Sequence, residues 1–169
     1  MADGLEHRSV DALDPTDVDL GILDETLSFY VRLINTAVSR DLDQRLQGLD
    51  VARGTGKVST LLLVDRHPGI RPSLIADVIM KDRSAIGRIV DEMVRQGLME
   101  RVPSQADSRA LGLFLTTRGT ELAVTVREIV RQSRHFFDEL DQADYDAAVT
   151  LLRKIYWRVV ARRAEGSAS

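Results

Sequence analysis

Several features that mark particular protein classes are missing from this chain of 169 residues. It contains no cysteine, which excludes disulfides, thiolate zinc sites and redox sensing through cysteine. No run of about 18 apolar residues is present, and the N-terminus has neither a basic start nor an apolar core, so neither a membrane span nor a secretion signal is predicted. We therefore expect a cytoplasmic protein without a membrane partner.

Residue patterns for metal binding and covalent catalysis are also scarce. The three histidines, His7, His67 and His135, lie far apart, with no second ligand at helical spacing. There is no Gly-x-Ser-x-Gly elbow, and the lack of cysteine removes the thiol nucleophile. We predict no metal and no cofactor, and a small cytosolic enzyme is the less favoured alternative function.

Excess positive charge, the usual sign of a nucleic-acid binder, is missing from the whole chain, whose net charge is −3. The distribution is uneven, however. Residues 1–53 hold 5 basic and 11 acidic residues, a net charge of −6, whereas residues 71–118 hold 8 basic and 6 acidic residues, a net charge of +2. Because binding to phosphates depends on the local field, the segment 71–118 remains a candidate for DNA binding.

The clearest pattern in that segment is an amphipathic helix starting near Arg83. Its apolar residues recur at helical spacing and predict one buried stripe: Ile86, Ile89, Val90, Met93 and Val94. The opposite face carries small, polar and basic residues: Arg83, Ser84, Gly87, Arg88, Asp91 and Arg95. Asp82 is predicted to cap the helix through its side chain, and Gly97 to end it in the left-handed conformation.

A shorter helix is predicted just before this one, because Pro72 follows Arg71 and favours a helix start. Only a few residues, around Met80, separate the two helices. So short a joint is typical of the helix-turn-helix, whose second helix enters the major groove of DNA.

Beyond Gly97 the periodicity changes from helix to strand. Leu98, Glu100 and Val102 precede a polar stretch that contains Pro103, and Leu111, Leu113 and Leu115 then alternate with other residues. Two strands around a polar loop form a hairpin, and a hairpin after a helix-turn-helix is a wing.

The run GLMERVPSQADSRALGLFLTTRG resembles the wing of the MarR family of bacterial transcriptional regulators. The family pattern of Asp-x-Arg, five residues, Leu-Thr and a later Gly is met by Asp107, Arg109, Leu115, Thr116 and Gly119. The resemblance implies a homodimeric repressor that a small anionic or aromatic effector releases from DNA. The effector would bind between the dimerisation helices and the DNA-binding lobe, but no pattern here identifies its pocket.

Long helical patterns flank this segment and predict a mainly α winged helix-turn-helix fold with one small antiparallel hairpin. We predict a flexible acidic arm over 1–19, a single domain over 20–163 and a disordered tail over 164–169. Within the domain, 20–48 and 119–163 are the predicted dimerisation helices, and 54–118 is the DNA-binding lobe. The terminal apolar stripes exceed what one small lobe can cover, which favours a homodimer.

The predicted partner is double-stranded DNA with a pseudo-palindromic operator. Arg88 is predicted to contact guanine, Ser84 a base or phosphate, and Arg109 the minor groove, where Asp107 holds the wing. For Gly87, close approach to DNA and neutral drift remain equal alternatives. The predicted DNA-binding residues are Arg71, Ser73, Arg83, Ser84, Gly87, Arg88, Arg101, Asp107 and Arg109. The other alternative is a winged-helix module that binds proteins and has no specific affinity for DNA.

Overall fold

The computed structural model describes residues 14–103 and 111–166. These ranges contain six α-helices and one antiparallel pair of strands, which confirms the predicted mainly α fold with a small hairpin. The elements are α1 Leu27–Arg45, α2 Thr55–Arg66, α3 Pro72–Val78, α4 Arg83–Arg95, β1 Met99–Pro103, β2 Leu111–Leu115, α5 Thr117–Gln132 and α6 Gln142–Gly166. None of the described helices is both long and apolar enough to cross a membrane.

Contacts divide the chain into two compact units, one ending at Ala37 and the other starting at Val38. In the described part of the first unit, Pro15–Asp17 forms a 3-10 turn whose cap is the Asp14 carboxylate, which accepts a hydrogen bond from the Thr16 amide at 2.9 Å. The flexibility predicted for residues 1–19 stays a prediction.

The first long helix starts later than its apolar periodicity predicts. We expected a helix from Leu20, but α1 begins at Leu27, after a 3-10 turn at Gly21–Leu23. Gly21 adopts a φ of +53° and donates its amide to the Asp19 carboxylate at 2.9 Å. This local hydrogen bond competes with helical pairing, and the periodicity of the apolar residues does not report it.

The hydrophobic core of the second unit is formed where α2 to α5 and the two strands converge. Its apolar side chains are almost completely buried, and each contributes roughly 1.5–3 kcal/mol when it leaves water. The largest of them are Leu46, Leu61, Ile75, Ile86, Met93, Leu98, Met99 and Leu113. The core therefore supports α4 from one side only and leaves its other side open.

The Leu-Thr and Gly of the family pattern have a structural role at the start of α5. The Thr116 hydroxyl accepts a hydrogen bond from the Gly119 amide at 3.1 Å and donates one to the Gly97 carbonyl at 2.6 Å. A Cβ atom at Gly119 would lie 1.8 Å from the Leu98 carbonyl oxygen, so only glycine fits there. These contacts fix the end of α4 and the base of the hairpin against α5.

The last helix extends further than predicted. It continues to Gly166, three residues into the segment 164–169 that we predicted to be disordered. Glu165 is a good helix former, and the side chain of Arg163 is held by a hydrogen bond to the Lys81 carbonyl at 3.1 Å. The predicted tail boundary was therefore wrong, because polar composition does not reveal this tertiary contact.

Candidate nucleic-acid interface

The two central helices are joined by a short turn, as the sequence predicts. Pro72 occupies the first turn of α3, and only the four residues from Ile79 to Asp82 separate the end of α3 from the start of α4. Within this turn Met80 adopts a φ of +54°, which is uncommon for a residue other than glycine. The turn sets the direction in which α4 leaves α3.

The two ends of α4 differ in how they are capped. Asp82 occupies the N-cap position, but the predicted side-chain cap is wrong, because its carboxylate makes no capping hydrogen bond and only its carbonyl accepts from Ile86, at 3.1 Å. The prediction for Gly97 is confirmed by its φ of +68°. The Gly97 amide donates to the Val94 carbonyl and the Leu98 amide to the Met93 carbonyl, both at 2.9 Å, which is a Schellman arrangement.

The faces of α4 divide as predicted. Ile86, Val90 and Met93 are 0% exposed, and Ile89 and Val94 are partly buried against the core. The exposed residues span an arc of roughly 140° at 100° per residue. They are Arg83, Ser84, Arg88, Asp91 and Arg95. The helix thus presents three arginines and a serine to a partner.

Gly87 lies within this exposed arc and has no steric role inside the chain. A Cβ atom at this position would meet nothing within 4 Å. A glycine in the middle of a helix costs about 1 kcal/mol relative to alanine. The intramolecular packing does not account for that cost, whereas close approach to a partner or neutral drift would.

The hairpin wing follows α4 with the predicted antiparallel pairing, in a register that runs from Met99 opposite Leu115 to Pro103 opposite Leu111. Residues 104–110, which include the predicted contacts Asp107 and Arg109, lie outside the described residues. Arg101 on β1 forms an ion pair with Asp91 on α4 at 2.5 Å. This contact joins the wing to the exposed face of α4.

The remaining predicted DNA contacts lie at the start of α3. Arg71 is the N-cap residue and is exposed, while Ser73 in the first turn is partly buried. The roles of all nine predicted residues in DNA binding remain predictions.

Two contacts of the helix-turn-helix were missed by the sequence reasoning. The Tyr156 hydroxyl on α6 donates a hydrogen bond to the Val78 carbonyl at 2.7 Å, and the Arg163 guanidinium donates one to the Lys81 carbonyl at 3.1 Å. The partners are 78 and 82 residues apart in the sequence. No local pattern signals such contacts, because both acceptors are main-chain oxygens.

A cavity of about 650 Å³ opens beside these contacts, between the end of α2, α3 and α6. Its lining is mainly apolar, and the only side chains with polar groups are an imidazole, a phenol and an indole. The lining residues are Leu63, His67, Pro68, Gly69, Ile70, Leu74, Val78, Tyr156 and Trp157. Among the described residues, no group of three or more His, Asp or Glu side chains could hold a metal ion.

Comparisons with known proteins agree with this geometry. Residues 48–110 match the model of the MarR family. A Thauera aromatica protein proposed to regulate transcription of the hcr operon is 25% identical over 153 residues, which cover 89% of this chain and 92% of that protein. The multiple antibiotic resistance protein MarR of Escherichia coli K12 is 29% identical over 109 residues, covering 64% of this chain and 74% of MarR.

The solved structures of the repressor CouR share the fold. CouR bound to a 23-mer DNA duplex superposes with a TM-score of 0.74 at 24% identity, over 82% of this chain and 97% of CouR. CouR from Rhodococcus jostii RHA1 bound to p-coumaroyl-CoA superposes with a TM-score of 0.68 at 19% identity, over 79% of this chain and 94% of CouR. CouR is thus named as a transcriptional repressor, and the Thauera aromatica protein as a proposed transcriptional regulator.

Proposed function

We propose that this chain is a transcriptional regulator of the MarR type, that is, a sequence-specific, homodimeric DNA-binding protein. The match of residues 48–110 to the MarR family model and the 29% identity to MarR of Escherichia coli K12 support this proposal. The observation that supports this most directly is the exposed arc of α4, which presents Arg83, Ser84 and Arg88 beside a hairpin wing. A face without apolar residues on a well-packed helix suits the polar major groove of DNA.

In the proposed complex, Arg88 contacts guanine and Ser84 contacts a base edge or a phosphate. Arg83, at the start of α4, lies beside amides that have no side-chain cap, and such free amides favour a nearby phosphate. Arg71 and Ser73 contact the phosphate backbone of the DNA from the start of α3.

The wing supplies a second set of proposed contacts. Arg101 is held by Asp91 at 2.5 Å and is therefore oriented beside the exposed face of α4. Arg109 enters the minor groove, and Asp107 fixes the geometry of the loop.

The proposed dimer is supported by apolar side chains that the chain leaves in solvent. Four on α1 and four on α6 are between 42% and 59% exposed: Leu27, Val31, Leu33, Ile34, Leu151, Leu152, Trp157 and Val159. A second copy of the chain would cover them, and its two-fold symmetry predicts half-sites on the order of 10 bp apart.

We propose that the cavity beside Tyr156 binds an effector that releases the protein from DNA. Its volume of about 650 Å³ falls in the range typical of small-molecule sites, roughly 300–1,000 Å³. Leu74, Val78 and Trp157 provide apolar contacts, while the hydroxyl of Tyr156 and the ring of His67 provide polar ones. This lining favours a compound with a flat aromatic part and one polar or anionic group.

A titration of the protein against the DNA upstream of its own gene and against a scrambled duplex of equal length tests the regulator proposal. We expect at least about thousandfold preference for the upstream duplex at physiological salt and two protected half-sites in footprinting. A single asymmetric half-site would contradict the dimer model. The absence of salt-dependent binding to either duplex would favour the protein-interaction module instead.

A further inference from the structure

The turn between α3 and α4 carries backbone strain at one position. Met80 has a φ of +54°, a conformation that costs an ordinary L-residue free energy relative to the right-handed region. Within the turn, the Lys81 amide donates to the Ala76 carbonyl at 3.0 Å, whereas the Met80 amide reaches the Asp77 carbonyl only at 3.4 Å. The amide of Met80 is therefore held by a longer hydrogen bond than the amides of its neighbours Ile79 and Lys81, which are held at 2.9 and 3.0 Å.

Two side chains of α6 hold this turn from outside. Tyr156 donates to the carbonyl of Val78, two residues before Met80, at 2.7 Å, and Arg163 donates to the carbonyl of Lys81, one residue after it, at 3.1 Å. Seven residues are two helical turns, so Tyr156 and Arg163 lie on the same face of α6. We name these two hydrogen bonds the α6–turn contacts.

We propose that the α6–turn contacts position the recognition helix for base readout, with Tyr156 and Arg163 as positioning residues that do not themselves touch DNA. They lie on the two sides of the strained residue, so they favour the one turn geometry that sets the direction of α4. This inference rests on the proposed DNA-binding function and adds a determinant of specificity to it.

Tyr156 also lines the cavity proposed for the effector. A compound bound there contacts the residue that holds the Val78 carbonyl. The bond from Tyr156 to Val78 therefore connects the wall of the cavity to the end of α3.

Removal of a single hydroxyl tests the first contact. Tyr156→Phe keeps the ring and deletes the hydrogen bond to Val78. The matched control is Tyr145→Phe, near the other end of α6, whose ring packs on Phe137 and under the Arg134 guanidinium at 4.1 Å. We expect Tyr156→Phe to weaken binding to the upstream duplex about three- to tenfold and to change binding to scrambled DNA less than about twofold. Tyr145→Phe should change binding to neither duplex.

The second contact has its own matched control one residue away. Arg163→Gln and Arg162→Gln remove the same charge from exposed positions of α6, but only Arg163 donates to the Lys81 carbonyl. The affinity for scrambled DNA should fall by the same factor in both variants, because that fall reflects the lost charge alone. The affinity for the upstream duplex should fall about twofold further in Arg163→Gln than in Arg162→Gln. The expected difference is small because the hydrogen bond is exposed.

A rescue separates positioning from loss of packing. Glycine adopts positive φ without steric cost, so Met80→Gly should reduce the need for support from α6. In that background, Tyr156→Phe should weaken upstream-duplex binding less than about twofold. If Tyr156→Phe acted only through a packing defect, it would weaken binding to the upstream duplex by the same factor with and without Met80→Gly.

Hydrogen exchange in the absence of DNA tests the contacts independently of function. The amides of Ile79 and Lys81 should exchange about three- to tenfold faster in Tyr156→Phe than in Tyr145→Phe. Unchanged exchange together with an unchanged ratio of upstream to scrambled affinity would overturn the inference. If the unmodified protein shows no preference for the upstream duplex while exchange rises as expected, the proposed regulator function fails and the structural contacts stand.

Discussion

The DNA-binding lobe and the terminal helices carry similar apolar residues in opposite environments. In the lobe, Leu61, Ile86 and Leu98 are 0% exposed, whereas Leu151 and Trp157 on α6 are 56% and 55% exposed. The lobe thus buries its apolar surface within one copy of the chain. The terminal helices leave theirs in solvent, and such surface marks an interaction site when it is contiguous. In the proposed dimer, stability and assembly therefore depend on different segments of the chain.

The largest expected effect is the loss of the proposed dimer when charged residues replace exposed apolar residues of the terminal helices. Leu27→Glu combined with Leu152→Glu places two carboxylates per copy in the proposed dimer interface, and burying an unpaired charge costs several kcal/mol. We expect the dimer dissociation constant to rise at least about thousandfold, with the helical content of the lobe retained. Sedimentation velocity and circular dichroism measure the two outcomes.

The control for this variant is Thr150→Glu, which adds a carboxylate at an exposed position roughly 200° around α6 from Leu152. It should remain a dimer. If the double variant also sediments as a folded dimer, the interface lies elsewhere.

The next prediction concerns the point where the lobe packs against the start of α5. Gly119→Ala would drive a Cβ atom into the Leu98 carbonyl oxygen, 1.8 Å away, and should lower the free energy of unfolding by about 4 kcal/mol or more. Gly97→Ala is the matched control, since Gly97 has positive φ but open space around it, and should cost only about 1–2 kcal/mol. Urea unfolding measures the free energy of unfolding of both variants. An equal decrease in both would show that the close packing at Gly119 does not determine the cost.

A smaller effect is expected on the exposed face of α4. Arg88→Ala should weaken binding to the upstream duplex by about 1–3 kcal/mol and binding to scrambled DNA very little. Arg95→Ala removes the same charge at the C-terminal end of the helix and should weaken binding to both duplexes slightly and equally. Titrations at several salt concentrations separate the two. If Arg88→Ala lowered the affinity for both duplexes equally, Arg88 would be a phosphate contact and not a base contact.

The smallest effect concerns Gly87 on α4. Because a Cβ atom at Gly87 meets nothing within 4 Å, Gly87→Ala should raise the free energy of unfolding by up to about 1 kcal/mol. A lower affinity for the upstream duplex in the same variant would favour close approach to DNA as the reason for glycine, and an unchanged affinity would favour neutral drift. A loss of stability would contradict the open environment of this position.

Local patterns were sufficient for the centre of the molecule. The spacing of Ile86, Val90 and Met93, the proline at 72 and the glycine at 97 predicted the two helices, their short joint and the exposed face of α4, and all four are present in the structure. These features depend on interactions within a few residues, which periodicity and capping preferences report directly.

Only the tertiary structure decided the rest. The sequence by itself determined that a helix-turn-helix and a hairpin exist, since both arise from short-range pairing. It did not determine that the Asp82 side chain leaves the first turn of α4 uncapped, that Gly119 packs on the Leu98 carbonyl, or that α6 reaches the turn at Met80. The last two outcomes depend on main-chain carbonyls that lie as many as 82 residues from their partners, and main-chain carbonyls carry no residue-specific signal in a sequence.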